Sequence, residues 1–149
     1  MKTYKSNIPE ITLKYKNGNT KKVKIQSSKD SAEFLRNFFN EDTIELTESF
    51  VCVFLNRANN SIGWFKVSQG GLSGTIVDIR LILATALKCA ASSIILAHNH
   101  PSGNTQPSNE DIKITNKVKA AGEYMDIKVL DHIILTDESY YSFADENLI

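Results

Sequence analysis

The feature that most constrains this chain is an apolar run that leads into a polar turn and then into a helix. The run from Ala90 to Ala97 predicts a strand buried on both faces. The following turn is rich in proline, glycine, serine and asparagine, and the periodic segment after Ser108 is typical of a helix. This order predicts that the chemistry of the chain lies at the strand-to-helix turn.

Two histidines, His98 and His100, lie in this turn at positions i and i+2. On an extended backbone such residues point to the same side, so the two imidazoles can share one ligand. Pro101 favours this geometry because the residue before a proline is pushed away from helical torsions. We expect Ser108 to be the helix N-cap, which puts Asp111 in the first turn, where backbone donors and the helix dipole keep a carboxylate ionised.

Two neutral imidazoles and one carboxylate form an open ligand set that suits Zn²⁺, with the fourth position left for water. We therefore predict a zinc site built from His98, His100 and Asp111. The alternative is a pair of partly buried, hydrogen-bonded histidines, because an H-x-H pattern by itself is weak evidence for a metal. The buried strand, the polar loop, the capping serine and the acidic residue together favour the metal site.

The pattern His98-x-His100, seven residues, Ser108, two residues, Asp111 resembles the signature of the JAMM (MPN-plus) metal-dependent isopeptidases and deubiquitinases. A closer resemblance is to the bacterial RadC-like branch, on the segments 98–103, 107–108 and 130–133. The similarity runs from about residue 44 to residue 143. It implies the JAMM α/β fold, a cytidine-deaminase-like mixed β-sheet flanked by helices. It also implies a catalytic zinc bound by His98, His100 and Asp111 and hydrolysis of an amide bond.

A carboxylate beside a zinc-bound water can act as general base and then pass the proton to the leaving amine. Glu48, at the start of the apolar strand 50–55, is our candidate, and the RadC-like branch has its glutamate at a similar place. Glu45 is the nearest rival for this role, and the alternative is that Glu48 is only an exposed carboxylate at the end of a strand.

Ser108 is a candidate hydrogen-bond donor to the oxyanion, a role compatible with capping. His132 could be a metal ligand, but we expect it to be a core residue or a hydrogen-bond partner of a ligand.

Composition limits the remaining possibilities. The 149 residues, 42% of them hydrophobic, are enough for one compact domain, and lysine plus arginine equals aspartate plus glutamate at 17 each. This balance does not support nucleic-acid binding. Cys52 and Cys89 are expected to be buried free thiols. The first residues lack a signal-peptide core and no long apolar span follows, so we expect a cytoplasmic protein that does not bind membranes.

The N-terminal part is expected to be an extension of the core. Glu10–Lys16 and Lys21–Ile25 alternate like two strands of a hairpin, and Ser27 begins a helix that should end near Asn40. We thus expect one domain, with a hairpin and helix extension over 1–40 and a catalytic core over 41–149. The hairpin lysines could bind an acidic partner, but a solvated strand face is the simpler interpretation.

Two segments between the apolar strand 50–55 and the turn with His98 and His100 also bear on the site. The glycine-rich segment 69–74 lacks the ending of a phosphate-binding loop, so we expect it to border the active-site cleft, where a substrate strand could pair with it. Asp78 should cap a buried helix over 79–90. RadC-like chains often have Pro-Arg-Glu where this chain has Ile79-Arg80-Leu81, which removes a carboxylate without affecting any predicted ligand.

Three classes of function remain after this reading. The first is a zinc-dependent peptidase or isopeptidase that acts on a peptide or protein substrate. The second is a DNA-repair accessory protein, suggested only by the name of the RadC-like branch. The third is a binding module with a vestigial site, although such relatives have lost ligands that this chain retains. Salt-dependent DNA binding would favour the second class, and a partner complex insensitive to chelator the third.

Overall fold

The computed structural model of the protein describes residues 8–71 and 74–149. In chain order, the described residues form three helices and five strands: α1 (Ser28–Arg36), β1 (Ser49–Leu55), β2 (Ser61–Gln69), α2 (Ile79–Lys88), β3 (Ser93–Asn99), α3 (Asn109–Glu123), β4 (Lys128–Leu135) and β5 (Tyr140–Ser142).

The strands form one mixed sheet in the order β2-β1-β3-β4-β5. The β3–β4 pair is parallel and the other pairs are antiparallel. Parallel neighbours need a crossover connection, and α3 supplies it between β3 and β4. The turn between β3 and α3 therefore lies at the carboxyl end of a central strand. The predicted α/β sheet flanked by helices is confirmed.

Helices cover both faces of the sheet, which explains why β1 and β3 are buried along their whole length. Along β1, Phe50, Cys52 and Phe54 pack against α2 and α3, whereas Val53 and Leu55 pack against α1. This alternation is the two-residue period of a strand between two layers. Cys52 and Cys89 are buried free thiols, as expected.

The boundaries of β3 and β4 reflect the turns before them. Ala90 and Asp126 both have positive φ angles, of 51° and 55°. The apolar run that begins at Ala90 therefore starts as a helix-ending turn, and β3 begins only at Ser93 and extends to Asn99. As a result, His98 lies within the strand ladder opposite Phe50 of β1.

The predicted N-terminal hairpin over 10–25 is wrong. The described residues 8–23 contain no strand, and Lys24 forms only an isolated bridge with Asn60. Ile11 and Leu13 are 89% and 78% exposed. An isolated two-stranded hairpin is at best marginally stable in water, so alternation alone is insufficient without a surface that buries the apolar face.

Helix α1 begins where predicted but ends earlier than Asn40. The Ser27 side chain accepts a hydrogen bond from Asp30 N, and the helix ends at Arg36. The side-chain amide of Asn37 donates to Phe34 O at 2.9 Å and so takes up a carbonyl at the helix end. None of the described helices is long and apolar enough to span a membrane.

Candidate metal centre

The end of β3 brings the two histidines of the H-x-H pattern together. His98 is the sixth residue of this strand and is fully buried, and His100 follows the strand with its backbone N–H bonded to Leu135 O of β4 at 2.9 Å. Their Nε2 atoms lie 2.9 Å apart. The extended backbone thus directs both imidazoles to one point.

Asp111 reaches the same point from the first turn of α3. Ser108 caps this helix: its Oγ accepts from Asp111 N at 3.1 Å, and its backbone N–H donates to Asp111 Oδ2 at 2.7 Å. This capping box orients the carboxylate, whose Oδ1 lies 3.2 Å from His98 Nε2 and whose Oδ2 lies 3.4 Å from His100 Nε2.

The charges at this point favour an ionised Asp111. Burial opposes ionisation, but the imidazoles of His100 and His98 and the backbone N–H of Ser108 hold the pKa of Asp111 well below its usual range. Burial also disfavours the protonated form of His100, but the bonds to Asp111 and Asn104 outweigh it and raise the pKa of His100. The site therefore attracts positive charge.

The hydrogen-bond partners of the rings determine which nitrogens carry protons. His100 Nδ1 lies 2.7 Å from the carbonyl oxygen of Asn104, which can only accept. Nδ1 of His100 must therefore be protonated, and a neutral His100 then has an unprotonated Nε2.

A buried chain of hydrogen bonds determines which ring nitrogen of His98 carries the proton. Thr115 Oγ1 donates to Asp111 O at 2.6 Å, so it accepts from His132 Nδ1, also 2.6 Å away. Burial lowers the pKa of His132 well below its usual value, so this ring is neutral. Its Nε2 must then accept from His98 Nδ1 at 2.8 Å, and the neutral tautomer of His98 with this bond has an unprotonated Nε2.

In these neutral tautomers the lone pairs of both Nε2 atoms face one point and the atoms lie 2.9 Å apart, so a shared cation can take the place of a proton between them. Among the described residues, His98, His100 and Asp111 offer ligand atoms within 4.8 Å of one another and form a group that could hold a metal ion. The donor set of two imidazole nitrogens and one carboxylate therefore fits the metal centre predicted from the sequence. His132 lies behind it and contacts His98.

Glu48 immediately precedes β1 and lines a cleft of about 580 Å³ together with His100 and Ser108. Burial raises the pKa of Glu48, the charges of His98 and His100 lower it, and Asp111 raises it, with a net increase. The Glu48 carboxylate is therefore within electrostatic reach of all three ligand candidates. The rival Glu45 is exposed and lines a separate cavity of about 310 Å³, which also borders His100.

The glycine-rich segment after β2 forms another wall of the cleft. Gly71 and Gly74 line it and form an isolated bridge with each other, and Gly70 N donates to Glu48 O at 2.8 Å. Leu72 and Ser73 lie outside the described residues. The expectation that this segment borders the cleft agrees with the positions of the two glycines.

Sequence reasoning missed two residues of this region, Thr115 and Asn99. Thr115 is four residues after Asp111, so the helical period could have placed both on one face of α3. Asn99 bonds to backbone groups about fifty residues earlier, at Ile44, Thr47 and Ser49. No local pattern indicates a contact over that separation.

Comparison with known proteins gives several relatives of similar sequence. A UPF0758 protein of Flavobacterium johnsoniae is 46% identical over 125 residues, which are 84% of this chain and 53% of that protein. A UPF0758 protein of Aquifex aeolicus is 34% identical over 140 residues, 94% of this chain and 58% of that protein. A UPF0758 protein of Pelobacter propionicus is 44% identical over 102 residues, which are 68% of this chain and 44% of that protein. The chain thus spans about half the length of these relatives.

A family profile also matches the chain. The profile described as RadC-like JAB domain covers residues 25–148 and so includes the whole sheet, all three helices, the candidate ligands and Glu48. It leaves out residues 1–24 and residue 149. This agrees with the resemblance drawn from the H-x-H turn, and we conclude that the chain belongs to the RadC-like JAB domain family.

Proposed function

We propose that this protein is a zinc-dependent hydrolase that cleaves a peptide or isopeptide bond in a peptide or protein substrate. The observation that supports this function is the convergence of His98 Nε2, His100 Nε2 and the Asp111 carboxylate on one point beside an open cleft. Two imidazoles, one carboxylate and a position left for water are the ligand set of hydrolytic zinc sites. Membership of the RadC-like JAB family agrees with this proposal.

Zinc at this centre would polarise the scissile carbonyl and lower the pKa of its water to about 7. Glu48 accepts the proton of the attacking water and returns it to the leaving amine. Its raised pKa supports this role, because a general base works best when its pKa lies near the working pH.

The hydroxyl group of Ser108 can both cap the helix and donate a hydrogen bond to the oxyanion. The oxygen accepts from Asp111 N as the helix cap, so the hydroxyl hydrogen can be donated to the oxyanion that develops on the substrate carbonyl. Ser108 lines the cleft beside His100, which supports this assignment. A preorganised donor of this kind is worth about 3 kcal/mol of transition-state stabilisation.

Metal content tests the centre directly. Wild type, Asp111→Ala and Asp78→Ala are stripped with a chelator, resupplied with zinc and analysed for bound metal. Asp78 is the matched control, because its side chain caps α2 by accepting from Arg80 N at 2.9 Å, outside the site. We expect about one zinc per chain in wild type and in Asp78→Ala and none in Asp111→Ala. A wild type without zinc would refute the proposal.

Turnover tests the catalytic roles. A library of fluorogenic peptides and lysine-linked isopeptides is screened with zinc-loaded wild type and with chelator-treated protein. Cleavage should require zinc, and Glu48→Gln should keep zinc and lose turnover, because the amide cannot accept the proton. Cleavage at the wild-type rate by Glu48→Gln would exclude Glu48 as the base.

A further inference from the structure

Asn99 lies between the two candidate histidine ligands and is 1% exposed. Its carboxamide makes three hydrogen bonds: Oδ1 accepts from Ser49 N at 2.8 Å, and Nδ2 donates to Ile44 O at 2.7 Å and to Thr47 O at 2.9 Å. Thr47 and Ser49 are the residues immediately before and after Glu48. A single side chain of β3 therefore holds the backbone on both sides of the candidate base.

The other contacts of this segment are made with β2 and within its own turn: Ser49 pairs with Gln69 of β2, and Thr47 N donates to Thr43 O at 3.0 Å. Residues 41–46 form turns outside the sheet, and the last β1–β3 pair is Phe50 with His98, so Glu48 lies beyond that ladder. Its own carbonyl accepts from Gly70 N at 2.8 Å. This bond ties Glu48 to the end of β2, whereas the Asn99 bonds tie its segment to the strand that carries the histidines.

Asparagine suits this position because its amide combines an acceptor with two donors. The three backbone partners are one donor and two acceptors, so the carboxamide satisfies all of them at once. Aspartate has no donor for the two carbonyls, and an aliphatic side chain would leave all three backbone groups unsatisfied at a buried place.

We propose that Asn99 is a positioning residue that sets the place of the Glu48 carboxylate relative to the metal. This inference rests on the proposed function, because it supposes that Glu48 acts beside a metal bound by His98, His100 and Asp111. The strand that supplies the histidines then also places the base, because the Asn99 side chain bonds that strand directly to the backbone on both sides of Glu48.

The test uses the full chain loaded with cobalt(II), whose visible absorption reports the groups around it without a substrate. The pH midpoint of the absorption change is measured for wild type, Glu48→Gln, Asn99→Ser, Asn99→Ala and the double variant Glu48→Gln/Asn99→Ser. Serine is included because its smaller polar side chain leaves room for water to bond the freed backbone groups. Cobalt content and thermal unfolding are recorded for each protein.

Asn56→Ala is the matched control. Asn56 Oδ1 accepts from Ala58 N and Asn60 N, both at 3.0 Å, in the turn that follows the other end of β1. Replacement of Asn56 therefore removes asparagine hydrogen bonds at the other end of the same strand and leaves the contacts of the Glu48 segment unchanged. We expect wild-type cobalt content and a wild-type midpoint for this variant.

We expect full cobalt content in all variants and a shifted midpoint in Glu48→Gln. Asn99→Ser and Asn99→Ala should shift the midpoint in the same direction by at least about half as much. In the Glu48→Gln background Asn99→Ser should add no shift, because no carboxylate remains to be positioned, and such non-additivity identifies two residues that act through one another.

Three results would overturn the inference while leaving the proposed function in place. They are a wild-type midpoint in both Asn99 variants, a shift equally large in the Glu48→Gln background, and loss of cobalt or of folding in both Asn99 variants, which would show that Asn99 serves the metal site or the fold itself. A wild type that binds no cobalt would refute the proposed function and this inference with it.

Discussion

Replacement of Thr115 by valine tests the hydrogen-bond chain behind the metal centre. Thr115 Oγ1 lies 2.6 Å from His132 Nδ1 and donates to Asp111 O at 2.6 Å. Valine has a similar shape but no hydroxyl, so the buried Nδ1–H of His132 loses its acceptor. An unsatisfied buried donor costs about 1–3 kcal/mol. His132 can avoid this cost by carrying its proton on Nε2 instead.

The moved proton reverses the bond between His132 and His98. His132 Nε2 then donates to His98 Nδ1, and the neutral tautomer of His98 that accepts this bond has its proton on Nε2, the atom predicted to bind the metal. Metal binding requires the proton of His98 to return from Nε2 to Nδ1, which again leaves the Nδ1–H of His132 without an acceptor. Part of the cost of that unsatisfied donor therefore weakens metal binding. We expect zinc affinity to fall about 10–100-fold, as is typical when the partner of a ligand histidine is lost.

The assay is competition for zinc with a chromophoric chelator, supported by ¹⁵N NMR of the imidazoles, which distinguishes the two tautomers. Thr115→Ser keeps the hydroxyl and should bind like wild type. Thr85→Val is the second control, because Thr85 Oγ1 makes the same type of bond to Leu81 O, at 2.7 Å, on α2 without a histidine partner. Wild-type zinc affinity in Thr115→Val would refute the assigned proton positions.

Three further predictions concern stability. Zinc at one hundred times its Kd should stabilise wild type by about 2.7 kcal/mol and raise its Tm by about 5–10 °C in calorimetry, with no change for Asp111→Ala. Gly122→Ala should lower the free energy of unfolding in urea by about 1–3 kcal/mol, because a Cβ there would lie 2.4 Å from Ile127 O of the α3–β4 connection. Leu35→Ala should lower it by about 2–5 kcal/mol, since Leu35 is 1% exposed in the core beneath α1, whereas Leu87→Ala, at a half-exposed site of α2, should change it far less.

The parts of the fold and site that could be predicted depend on short-range chemistry. Ser108 and Asp111 form the expected capping box because both partners lie within one helical turn. The same holds for the cap of α2 by Asp78 and for the two histidines, whose spacing on an extended backbone is enough to direct them to one point.

The parts that could not be predicted depend on contacts between distant segments. The hairpin over 10–25 has the right alternation, but Ile11 and Leu13 of its first predicted strand have no surface to bury them. The proton positions of His98 follow from His132 of β4 and Thr115 of α3, which only the folded structure brings together. The place of Glu48 likewise depends on Asn99, about fifty residues away.

The exposed N-terminal segment has a consequence for self-association. Ile11 and Leu13 alternate with polar residues and are 89% and 78% exposed. Tyr15, two residues later, donates to Ile62 O of β2, an edge strand of the sheet, at 2.6 Å. Exposed alternating segments and open sheet edges are templates for intermolecular pairing and aggregation. Five lysines between residues 14 and 24 oppose it by charge repulsion. Colloidal stability should therefore decrease as salt screens these charges, and low ionic strength favours concentrated, monodisperse protein.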